Sequence, residues 1–437
     1  MATLKVQRPK GTQDVVPSQM YKWNTVEGIV KDTASAYGFR EIRIPTFEDT
    51  ALFVRSVGDT TDVVQKEMYS VTAKGDADFT LRPEGTAGTI RALIENGILN
   101  EGFPQKVFYV LSCFRHEKPQ AGRLREFHQF GVECIGAASP SADAEVIALA
   151  KQVLTAVGIE KISLEINSIG CPECRKDYVA ALKDYFRQHI DELCDTCRDR
   201  LDRNPMRILD CKSPVCKKIA EDAPVVTDYL CDDCRAHFEA VQKYLTAEGV
   251  EFTVNPHIVR GLDYYTRTVF EFVSGDIGAQ ATVCGGGRYD GLIAQMGGPS
   301  VPSLGFAMGI ERIMLLLEAQ KTELPKPTPC DIYIAAMGDN AALKAAELCA
   351  RLRQDGFSAQ TDICGRGLKA QMKYADKTGA EFTMVLGDNE LETGKARLKN
   401  MASGSETEVR LENLADELLS AIHSSALDNL ADSILKQ

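Results

Sequence analysis

The chain has 437 residues, which is too long for one ordinary hydrophobic core, so two or three domains are expected. Its hydrophobic content of 44% and charged content of 26% are those of a soluble globular protein, and no apolar run approaches the ~20 residues that cross a bilayer. A net charge of −12 argues against indiscriminate binding to nucleic acids, although it is compatible with a local basic groove.

Six segments of different composition follow one another along the chain. The first mixes helical and strand patterns, and its polar start contains no apolar signal core, so we expect a cytoplasmic protein with no membrane partner. A cysteine-rich segment, a return to strands and glycine loops, a proline-punctuated linker, alternating strands and helices, and a loosely attached tail come next. The predicted boundaries are 1–168, 169–245, 246–324, 325–330, 331–425 and 426–437.

Residues 107–135 are predicted to form a long antiparallel hairpin. Val107–Glu117 and Glu126–Ile135 have strand patterns, and the turn-rich segment between them is basic. Alternation in the second strand puts an aromatic ring, an amide, a bare glycine and a carboxylate on one face, at Phe127, Gln129, Gly131 and Glu133. That face suits a planar base above a small polar molecule, whereas the alternative is an amphipathic hairpin with its odd-numbered face in water.

Eight of the fourteen cysteines lie between residues 171 and 234. The first four have the C-x₂-C…C-x₂-C spacing of a zinc site, at Cys171, Cys174, Cys194 and Cys197. A second quartet is available at Cys211, Cys216, Cys231 and Cys234, or the two sets interleave. Because a long chain without a signal favours reduced thiols, the alternative is that these side chains pack as small hydrophobes. Zero, one or two structural zinc ions are compatible with the pattern.

The stretch Val259–Phe272 has an unusual density of polar side chains for the start of a strand. Its second half alternates, so that Tyr265, Arg267, Val269 and Glu271 share one face. Taken alone, the stretch favours a half-exposed edge strand with a salt-bridged end. Beside the other motifs it favours a pocket for a small polar ligand, because buried polar groups need partners.

Two glycine-rich segments follow, at Cys284–Gly291 and Ser303–Arg312. In the second, Gly305, Ala307 and Gly309 remove bulk from one side of an extended segment, which favours close approach of a ligand, although simple bends are the alternative. An arginine near the start of the next helix would favour a polyphosphate. The sequence contains no G-x-x-x-x-G-K-[ST] phosphate loop, which excludes nucleotide binding of that type.

Beyond the linker, strands alternate with helices, which predicts a parallel-rich α/β sheet in a separate domain. The strand patterns cover Asp331–Ala336, Ser358–Ile363 and Phe382–Leu386. The helical patterns between them cover Asn340–Gln354 and Leu368–Thr378.

Taken together and in this order, these segments resemble the histidyl-tRNA synthetase family of class II aminoacyl-tRNA synthetases. Phe114–Glu117 with its basic loop is similar to motif 2, and Gly305–Arg312 is similar to motif 3. Arg260–Tyr265 is similar to the histidine-specific signature of the family. The resemblance covers nearly the whole chain and also takes in Lys10–Asp14, Gly38–Pro45 as motif 1, and Arg82–Thr86.

The resemblance implies an α+β fold, with an antiparallel six-stranded catalytic sheet flanked by helices, a cysteine-rich insertion and a C-terminal α/β anticodon-binding domain. It implies a homodimer, with motif 1 at the interface, that ligates L-histidine to histidine tRNA through a histidyl-adenylate. ATP as a substrate and Mg²⁺ are the implied cofactors, whereas zinc is not part of the family's chemistry.

The resemblance also implies a role for each motif residue. Arg260 and Arg115 would be catalytic, because they would stabilise charge on the α-phosphate as the histidine carboxylate attacks. The histidine-binding residues would be Glu84, Thr86, Arg115, Gln129, Glu133, Arg260, Tyr264 and Tyr265. The ATP-binding residues would be Arg115 at the α-phosphate, Arg312 at the γ-phosphate, Glu117, Arg123, and Phe127 stacked on adenine. Gln120 would meet the acceptor end of the tRNA.

Two other interpretations are open at this point. A noncatalytic paralogue of these synthetases, which regulates histidine biosynthesis by binding another enzyme, is expected to have a degraded arginine set and no anticodon domain. Here Arg115, Arg260 and Arg312 are all present, and a long segment follows the linker. A class II synthetase for another amino acid is opposed mainly by the tract Arg260–Tyr265.

Overall fold

The computed structural model describes residues 6–58, 61, 63–72, 78–211, 213–260, 262–278 and 282–435. The chain divides into two compact units, Met1–Leu324 and Pro325–Gln437. Among the helices of the described ranges, none combines the length and the apolar character that a membrane crossing requires. Gly261, which belongs to the predicted histidine signature, lies outside the described residues.

Strands and helices alternate along both units. The strands in the described ranges are β1 (Arg40–Glu41), β2 (Phe47–Asp49), β3 (Tyr69–Thr72), β4 (Asp78–Leu81), β5 (Gln105–Phe114), β6 (Glu126–Ile135), β7 (Ser163–Ser168), β8 (Thr253–Val254), β9 (Thr266–Val273), β10 (Thr282–Arg288), β11 (Ser303–Gly309), β12 (Cys330–Ala336), β13 (Ala359–Thr361), β14 (Ala380–Leu386), β15 (Lys395–Asn400) and β16 (Glu406–Arg410). The helices are α1 (Pro17–Ala36), α2 (Thr50–Val57), α3 (Thr86–Glu95), α4 (Pro140–Val157), α5 (Pro172–Arg187), α6 (Asp195–Arg203), α7 (Pro214–Glu221), α8 (Asp232–Ala247), α9 (Leu292–Gln295), α10 (Ile310–Ala319), α11 (Asp339–Gln354), α12 (Leu368–Thr378), α13 (Asp388–Thr393) and α14 (Leu414–Leu435).

The main sheet of the larger unit has eight strands in the order β1-β5-β6-β11-β10-β9-β7-β8. Within the group of six inner strands, each adjacent pair is antiparallel. The prediction of a purely antiparallel six-stranded sheet is wrong at the edges, where β1 and β8 add parallel pairs with β5 and β7. Each edge strand is joined to its neighbour by a long connection that contains helices, and such a crossover returns the chain in the same direction.

The two faces of this sheet have different surroundings. One face packs against α1, α4, α8 and α10 in the largest hydrophobic core of the unit. In β6 the even-numbered residues Phe130, Val132 and Cys134 point into that core, while Phe127 and Glu133 face the other side and line a pocket. The predicted alternation of the hairpin is therefore confirmed, and it fixes which side chains are available to a ligand.

The cysteine-rich segment forms a helical insertion between β7 and β8. Its helices α5, α6 and α7 pack around a hydrophobic core of their own, to which Tyr178, Leu182, Phe186 and Ile208 contribute. The helix α8 returns the chain to the main sheet, and its residues Phe238, Val241 and Leu245 join the larger core.

The smaller unit contains a five-stranded sheet in the order β13-β12-β14-β15-β16. The strands β13, β12 and β14 are parallel and alternate with α11 and α12, which confirms the predicted α/β pattern. The antiparallel strands β15 and β16 were not predicted, because β15 offers only two buried apolar residues, Ala396 and Leu398, and β16 buries only Val409. The helix α14 extends through the segment predicted as a tail, as far as Leu435.

Candidate active site

The polar face of the main sheet forms a pocket in the larger unit, between the β5–β6 hairpin, the segment that precedes β9, the strands β10 and β11, and the start of α10. The twelve residues predicted to bind histidine or ATP all line this pocket: Glu84, Thr86, Arg115, Glu117, Arg123, Phe127, Gln129, Glu133, Arg260, Tyr264, Tyr265 and Arg312. Gln120 does not; it is exposed in the hairpin loop and lines a neighbouring depression with Trp23 and Leu315.

The pocket floor consists of residues without bulky side chains, set opposite one another by the strand register. Gly131 of β6 pairs with Ala307 of β11, which pairs with Gly285 of β10. In the next row, Glu133 pairs with Gly305. A Cβ atom at Gly305 would overlap the Glu133 carboxylate, so glycine is required for this carboxylate to lie over the sheet.

Arg260 lies at the centre of the pocket wall and is held by an acidic neighbour on β9. Its Nη1 atom donates to Glu271, whose other carboxylate oxygen accepts a hydrogen bond from Thr282 Oγ1 at 2.7 Å. The guanidinium also lies 5.8 Å from the ring centroid of Tyr265. A Cβ atom at Gly285 would overlap the guanidinium, so the floor glycine provides the space that Arg260 occupies. Although burial acts to lower the pKa of Arg260, the Glu271 carboxylate raises it, so the guanidinium stays charged.

Three further arginines surround the end of the pocket that lies beside the hairpin loop and the start of α10. Arg115 Nε donates to the Pro83 carbonyl at 2.9 Å, and its guanidinium lies 5.3 Å from the centroid of the Phe127 ring. Arg123 forms an ion pair with Glu117. Burial and then the like charges of Arg123 and Arg115 lower the pKa of Arg312, which shows that these cations lie close enough to repel one another. Such a cluster is suited to a polyanion.

Arg312 is oriented by main-chain acceptors. Its Nε atom donates to the Gly122 carbonyl at 3.2 Å, and its Nη1 atom donates to the Thr282 carbonyl. Arg312 lies in the first turn of α10, where the helix dipole and free N–H groups add positive potential. Hairpin loop and helix therefore meet at this guanidinium, although they lie far apart in the sequence.

The opposite end of the pocket contains a buried carboxylate. Glu133 is 1% exposed and accepts hydrogen bonds from the phenol groups of Tyr109, at 3.1 Å, and Tyr289. Burial raises the pKa of this carboxyl to about 8, although the phenol donors act in the opposite direction. Two donors fix the carboxyl group in one orientation, and its carbonyl oxygen is a directional acceptor for a ligand N–H group while the carboxyl holds its proton, below about pH 8.

A second carboxylate lies beside it, at the start of α3. Glu84 accepts hydrogen bonds from the backbone N–H groups of Thr86 at 2.7 Å and Ala87 at 2.8 Å. Burial raises the pKa of Glu84, while those N–H groups favour its ionised form. The first turn of α3 therefore holds Glu84 in place while the carboxylate still lines the pocket.

The tyrosine pair of the signature is buried, not solvent-exposed. The rings of Tyr264 and Tyr265 are 4.7 Å apart between centroids, and Tyr264 packs edge-on against Tyr289 at 5.6 Å. Both residues are 6% exposed and belong to a hydrophobic cluster that also contains Val269. The aromatic wall and the carboxylate of Glu133 together form a compartment for a small planar polar group.

Three residues that shape the pocket were not assigned a role from the sequence, namely Tyr109, Glu271 and Tyr289. Tyr109 lies in β5 directly opposite Gly131, and a Cβ atom on that glycine would overlap its ring. The sequence contained one signal for Tyr109, namely a tyrosine that faces a glycine across the predicted hairpin. That signal is recognised only when the exact register of β5 against β6 is known. Glu271 was placed correctly on the face of Val269, although its partner Arg260 was not predicted. The positive φ of Arg267, 51°, and a register shift in the β9–β10 pairing interrupt the predicted alternation at that residue.

The eight clustered cysteines form two groups, and in each group the four Sγ atoms lie within 4.8 Å of one another. The outer quartet consists of Cys171, Cys174, Cys231 and Cys234, and the inner quartet consists of Cys194, Cys197, Cys211 and Cys216. The prediction that the first four cysteines of the chain form one group is wrong. The two sets interleave instead, which is the alternative that the sequence left open. The insertion leaves β7 and returns to its neighbour β8, so its first and last cysteine pairs meet at the base. These groups have the composition of metal-binding sites.

An antiparallel sheet core with arginines over one end of its polar face and a buried carboxyl group at the other agrees with the class II aminoacyl-tRNA synthetase fold that the sequence motifs predicted, and the comparisons show that class. A histidyl-tRNA synthetase family model matches residues 11–313, and an anticodon binding domain model matches residues 331–421. The chain therefore belongs to the histidyl-tRNA synthetase family, as the sequence motifs predicted.

Individual relatives agree with this assignment. A histidine–tRNA ligase of Caldanaerobacter subterraneus subsp. tengcongensis is 53% identical, over 95% of this chain and 98% of the relative. One of Clostridium novyi is also 53% identical, over 96% of this chain and all of the relative (100%). The crystal structure of apo histidyl-tRNA synthetase from S. aureus has a TM-score of 0.82 at 39% identity, covering 94% of this chain and 99% of that chain.

Proposed function

We propose that this chain ligates L-histidine to histidine tRNA for protein synthesis, through a histidyl-adenylate formed from ATP. The observation that carries the proposal is the polarity of one pocket, in which Glu133 lies at one end and Arg115 and Arg312 lie at the other. An imidazole N–H group requires a fixed acceptor, and a triphosphate requires convergent cations. Between these ends stands Arg260, next to the position where the two substrates would react.

In the first step, a carboxylate oxygen of histidine attacks the α-phosphorus of ATP, and the bond to the pyrophosphate leaving group breaks. Arg115 holds the α-phosphate and Arg312 the γ-phosphate, with Glu117 and Arg123 beside the nucleotide. Arg260 stabilises the charge that develops on the pentavalent phosphorus, which is electrostatic catalysis without proton transfer. Arg260 is already oriented by Glu271, so little reorganisation is needed when the substrates bind.

Histidine is recognised at both of its ends. Glu133 and Tyr265 receive the imidazole, with Tyr264 beside them, and the buried carboxylate discriminates against side chains that lack an N–H group. The remaining polar groups, Glu84, Thr86 and Gln129, receive the α-amino group. Mg²⁺ enters together with ATP as part of the substrate complex, and Phe127 stacks on the adenine.

In the second step, a ribose hydroxyl of the tRNA acceptor end displaces AMP from the adenylate. Gln120 lies in the exposed tip of the hairpin, next to the nucleotide end, where it contacts that acceptor end. The smaller unit, residues 331–425 in our assignment, binds the anticodon, in agreement with the anticodon binding domain model.

The proposal extends to the assembly and to the insertion. The chain forms a cytoplasmic homodimer through motif 1, and the exposed side chain of Phe47, which follows that motif, is compatible with a covered surface. Light scattering of the purified protein tests the dimer. Structural zinc belongs to the insertion, because four clustered thiols are the ligand set of structural zinc sites.

The decisive experiment is ATP–pyrophosphate exchange measured with each of the twenty amino acids in turn. We expect exchange with histidine alone, followed by charging of histidine tRNA. Exchange with a different amino acid would establish another specificity, and no exchange with any amino acid would favour a noncatalytic regulator of the same fold. Charging without exchange would refute the adenylate route.

A further inference from the structure

The sulfur spacing in both cysteine quartets is that of closed four-thiolate metal sites, since the four Sγ atoms of each lie within 4.8 Å of one another. The Sγ atoms of Cys171 and Cys174 are 3.6 Å apart, and those of Cys194 and Cys211 are 3.9 Å apart. Four sulfur atoms at about 2.3 Å from a tetrahedral zinc ion are separated by roughly 3.8 Å from one another. A disulfide would require about 2.05 Å instead, so the observed separations match metal ligation and do not match oxidised pairs.

The sulfur atoms also have the surroundings of thiolate ligands. Cys171, Cys194 and Cys231 each precede the first residue of a helix, and the partner cysteine of each pair lies in its first turn. The backbone N–H group of Cys231 donates to Cys174 Sγ at 3.1 Å, and that of Cys194 donates to Cys216 Sγ at 3.3 Å. Helix N-termini and N–H donors stabilise negative sulfur, as in the outer shell of known metal sites.

The outer quartet stands at the junction between the insertion and the histidine pocket. Cys171 follows Gly170, whose carbonyl accepts a hydrogen bond from the Arg267 N–H group at 2.9 Å, at the start of β9. One residue beyond Cys174, Arg175 donates from Nη1 to the main-chain carbonyl of Tyr265 at 3.1 Å. The first turn of α5, which carries two of the thiols, therefore contacts the backbone of a pocket residue.

The inner quartet is connected to the same tract by a second contact. Between Cys197 and Cys211, the segment Asn204–Arg207 reaches the carboxylate of Asp263. Asn204 Nδ2 donates to Asp263 Oδ1 at 3.1 Å, and Arg207 donates to the same atom from Nε at 3.2 Å and from Nη2 at 3.0 Å. This segment is enclosed between two ligand pairs, so its position depends on the quartet that closes around it.

We propose that each quartet binds one zinc ion, and that the two ions position residues 263–265 of the histidine pocket from outside. The outer ion fixes Arg175 against the Tyr265 carbonyl, and the inner ion fixes Asn204 and Arg207 against Asp263. The positioning role rests on the proposed histidine-binding function, whereas the metal content does not. Each zinc ion takes four thiolates, the thiols release their protons to solvent, and no electron transfer is involved.

Metal analysis of the full-length protein, purified without chelator, tests the sites. We expect two zinc ions per chain, about one after Cys234→Ser, about one after Cys216→Ser, and two after the control Cys364→Ser, whose thiol is exposed in the smaller unit. Should either variant fail to fold, the zinc content of the unmodified protein is measured in another way. A thiol-blocking reagent releases zinc from the thiolates, and a zinc-sensitive dye reports the number of ions released per chain. Less than about a quarter of an equivalent, or disulfides in either quartet, would overturn the proposal.

Substitution of the contact residue tests the positioning role. Arg175→Met leaves all eight thiols in place, and Arg187→Met in the same helix is the matched control, because Arg187 is exposed and pairs only with neighbouring acids. We expect Arg175→Met to raise the KM for histidine roughly tenfold while the KM for ATP changes by less than about twofold, as expected for losing one charged hydrogen bond behind the pocket wall. Chelation of zinc should act in the same direction and be reversed by zinc.

The outcomes separate the two proposals. Two zinc ions with an unchanged histidine KM in Arg175→Met would reject the positioning role and leave histidine ligation intact. Absence of zinc in an enzyme that activates histidine would reject both sites but not the activity. Equal effects of Arg175→Met on histidine and ATP would indicate general damage to the fold, and they would also contradict the positioning role.

Discussion

Replacement of Glu133 by glutamine is expected to stabilise the larger unit at alkaline pH while it damages histidine binding. The carboxyl is fully buried, and its pKa rises from 4.5 in the unfolded chain to about 8 in the folded protein. Between these values the folded state holds a proton that the unfolded state has released, so the free energy of unfolding falls as pH rises through this window. The stabilisation that protonated Glu133 gives to the folded state is fully present below pH 4.5 and fully lost above about pH 8.

The magnitude follows from the size of that rise. One pKa unit corresponds to about 1.36 kcal/mol, so the rise in the pKa of Glu133 from 4.5 to about 8 corresponds to roughly 5 kcal/mol. Relaxation of the site and water entry reduce such values, so we expect Glu133→Gln to gain roughly 2–3 kcal/mol at pH 8.5 and little near pH 5. A glutamine is nearly isosteric, and its amide oxygen still accepts a hydrogen bond from Tyr109 or Tyr289.

The single tryptophan, Trp23, provides the assay, because it is buried in the core of the same unit as Glu133. Urea unfolding followed by its fluorescence at pH 5.5 and pH 8.5 compares the wild type, Glu133→Gln and the control Glu95→Gln, whose carboxylate is exposed. The same samples are titrated with histidine and with ATP. Parallel pH dependence in all three proteins, or equal weakening of histidine and ATP by Glu133→Gln, would refute this reasoning.

Three shorter predictions concern the reaction. Arg260→His should keep histidine binding but slow pyrophosphate exchange at least ~100-fold, the scale of losing one charge-stabilising donor; near-normal exchange would remove Arg260 from its catalytic role. Gly285→Ala should displace the Arg260 guanidinium, whose flexible end is able to move, so exchange should fall while the urea midpoint changes little; an unchanged rate would contradict this. Phe127→Ala should raise the KM for ATP roughly tenfold and leave that for histidine unchanged, since a stacked ring contributes about 1–3 kcal/mol; Phe127→Tyr is the control, and an unchanged KM for ATP would refute the stacking role.

Local patterns in the sequence were sufficient to predict the hairpin and its faces. Period-two alternation in β6 separates Phe130 and Val132, which enter the core, from Gln129 and Glu133, which line the pocket. The edge strands β1 and β8 have two residues each, too few for any periodicity to appear. Of the two partners of Glu133, Tyr109 depends on the exact register of the hairpin and Tyr289 follows the distant strand β10, and a local pattern contains neither piece of information.

The cysteine grouping illustrates the same limit. Spacing identifies each cysteine pair, because a pair is local to one helix start, but it does not identify which pairs meet. That choice is made by the parallel pairing of β7 with β8, which brings the first and last pairs of the insertion together. A long-range feature of the sheet thus decides which cysteines form the proposed metal-ligand set that extends from Cys171 to Cys234, more than sixty residues along the chain.

The arrangement of charge in the pocket explains why the arginines remain available to a nucleotide. Arg260 and Arg123 each contact a carboxylate, of Glu271 and Glu117, and these pairs hold them in position. Arg115 and Arg312 are oriented by main-chain carbonyls instead, which accept hydrogen bonds but carry no net charge. Neutral acceptors therefore orient these two guanidinium groups, and we propose that a triphosphate supplies further negative charge beside them. Burial, followed by the charges of Arg123 and Arg115, lowers the pKa of Arg312, so we expect a bound triphosphate to relieve a repulsion among these three cations.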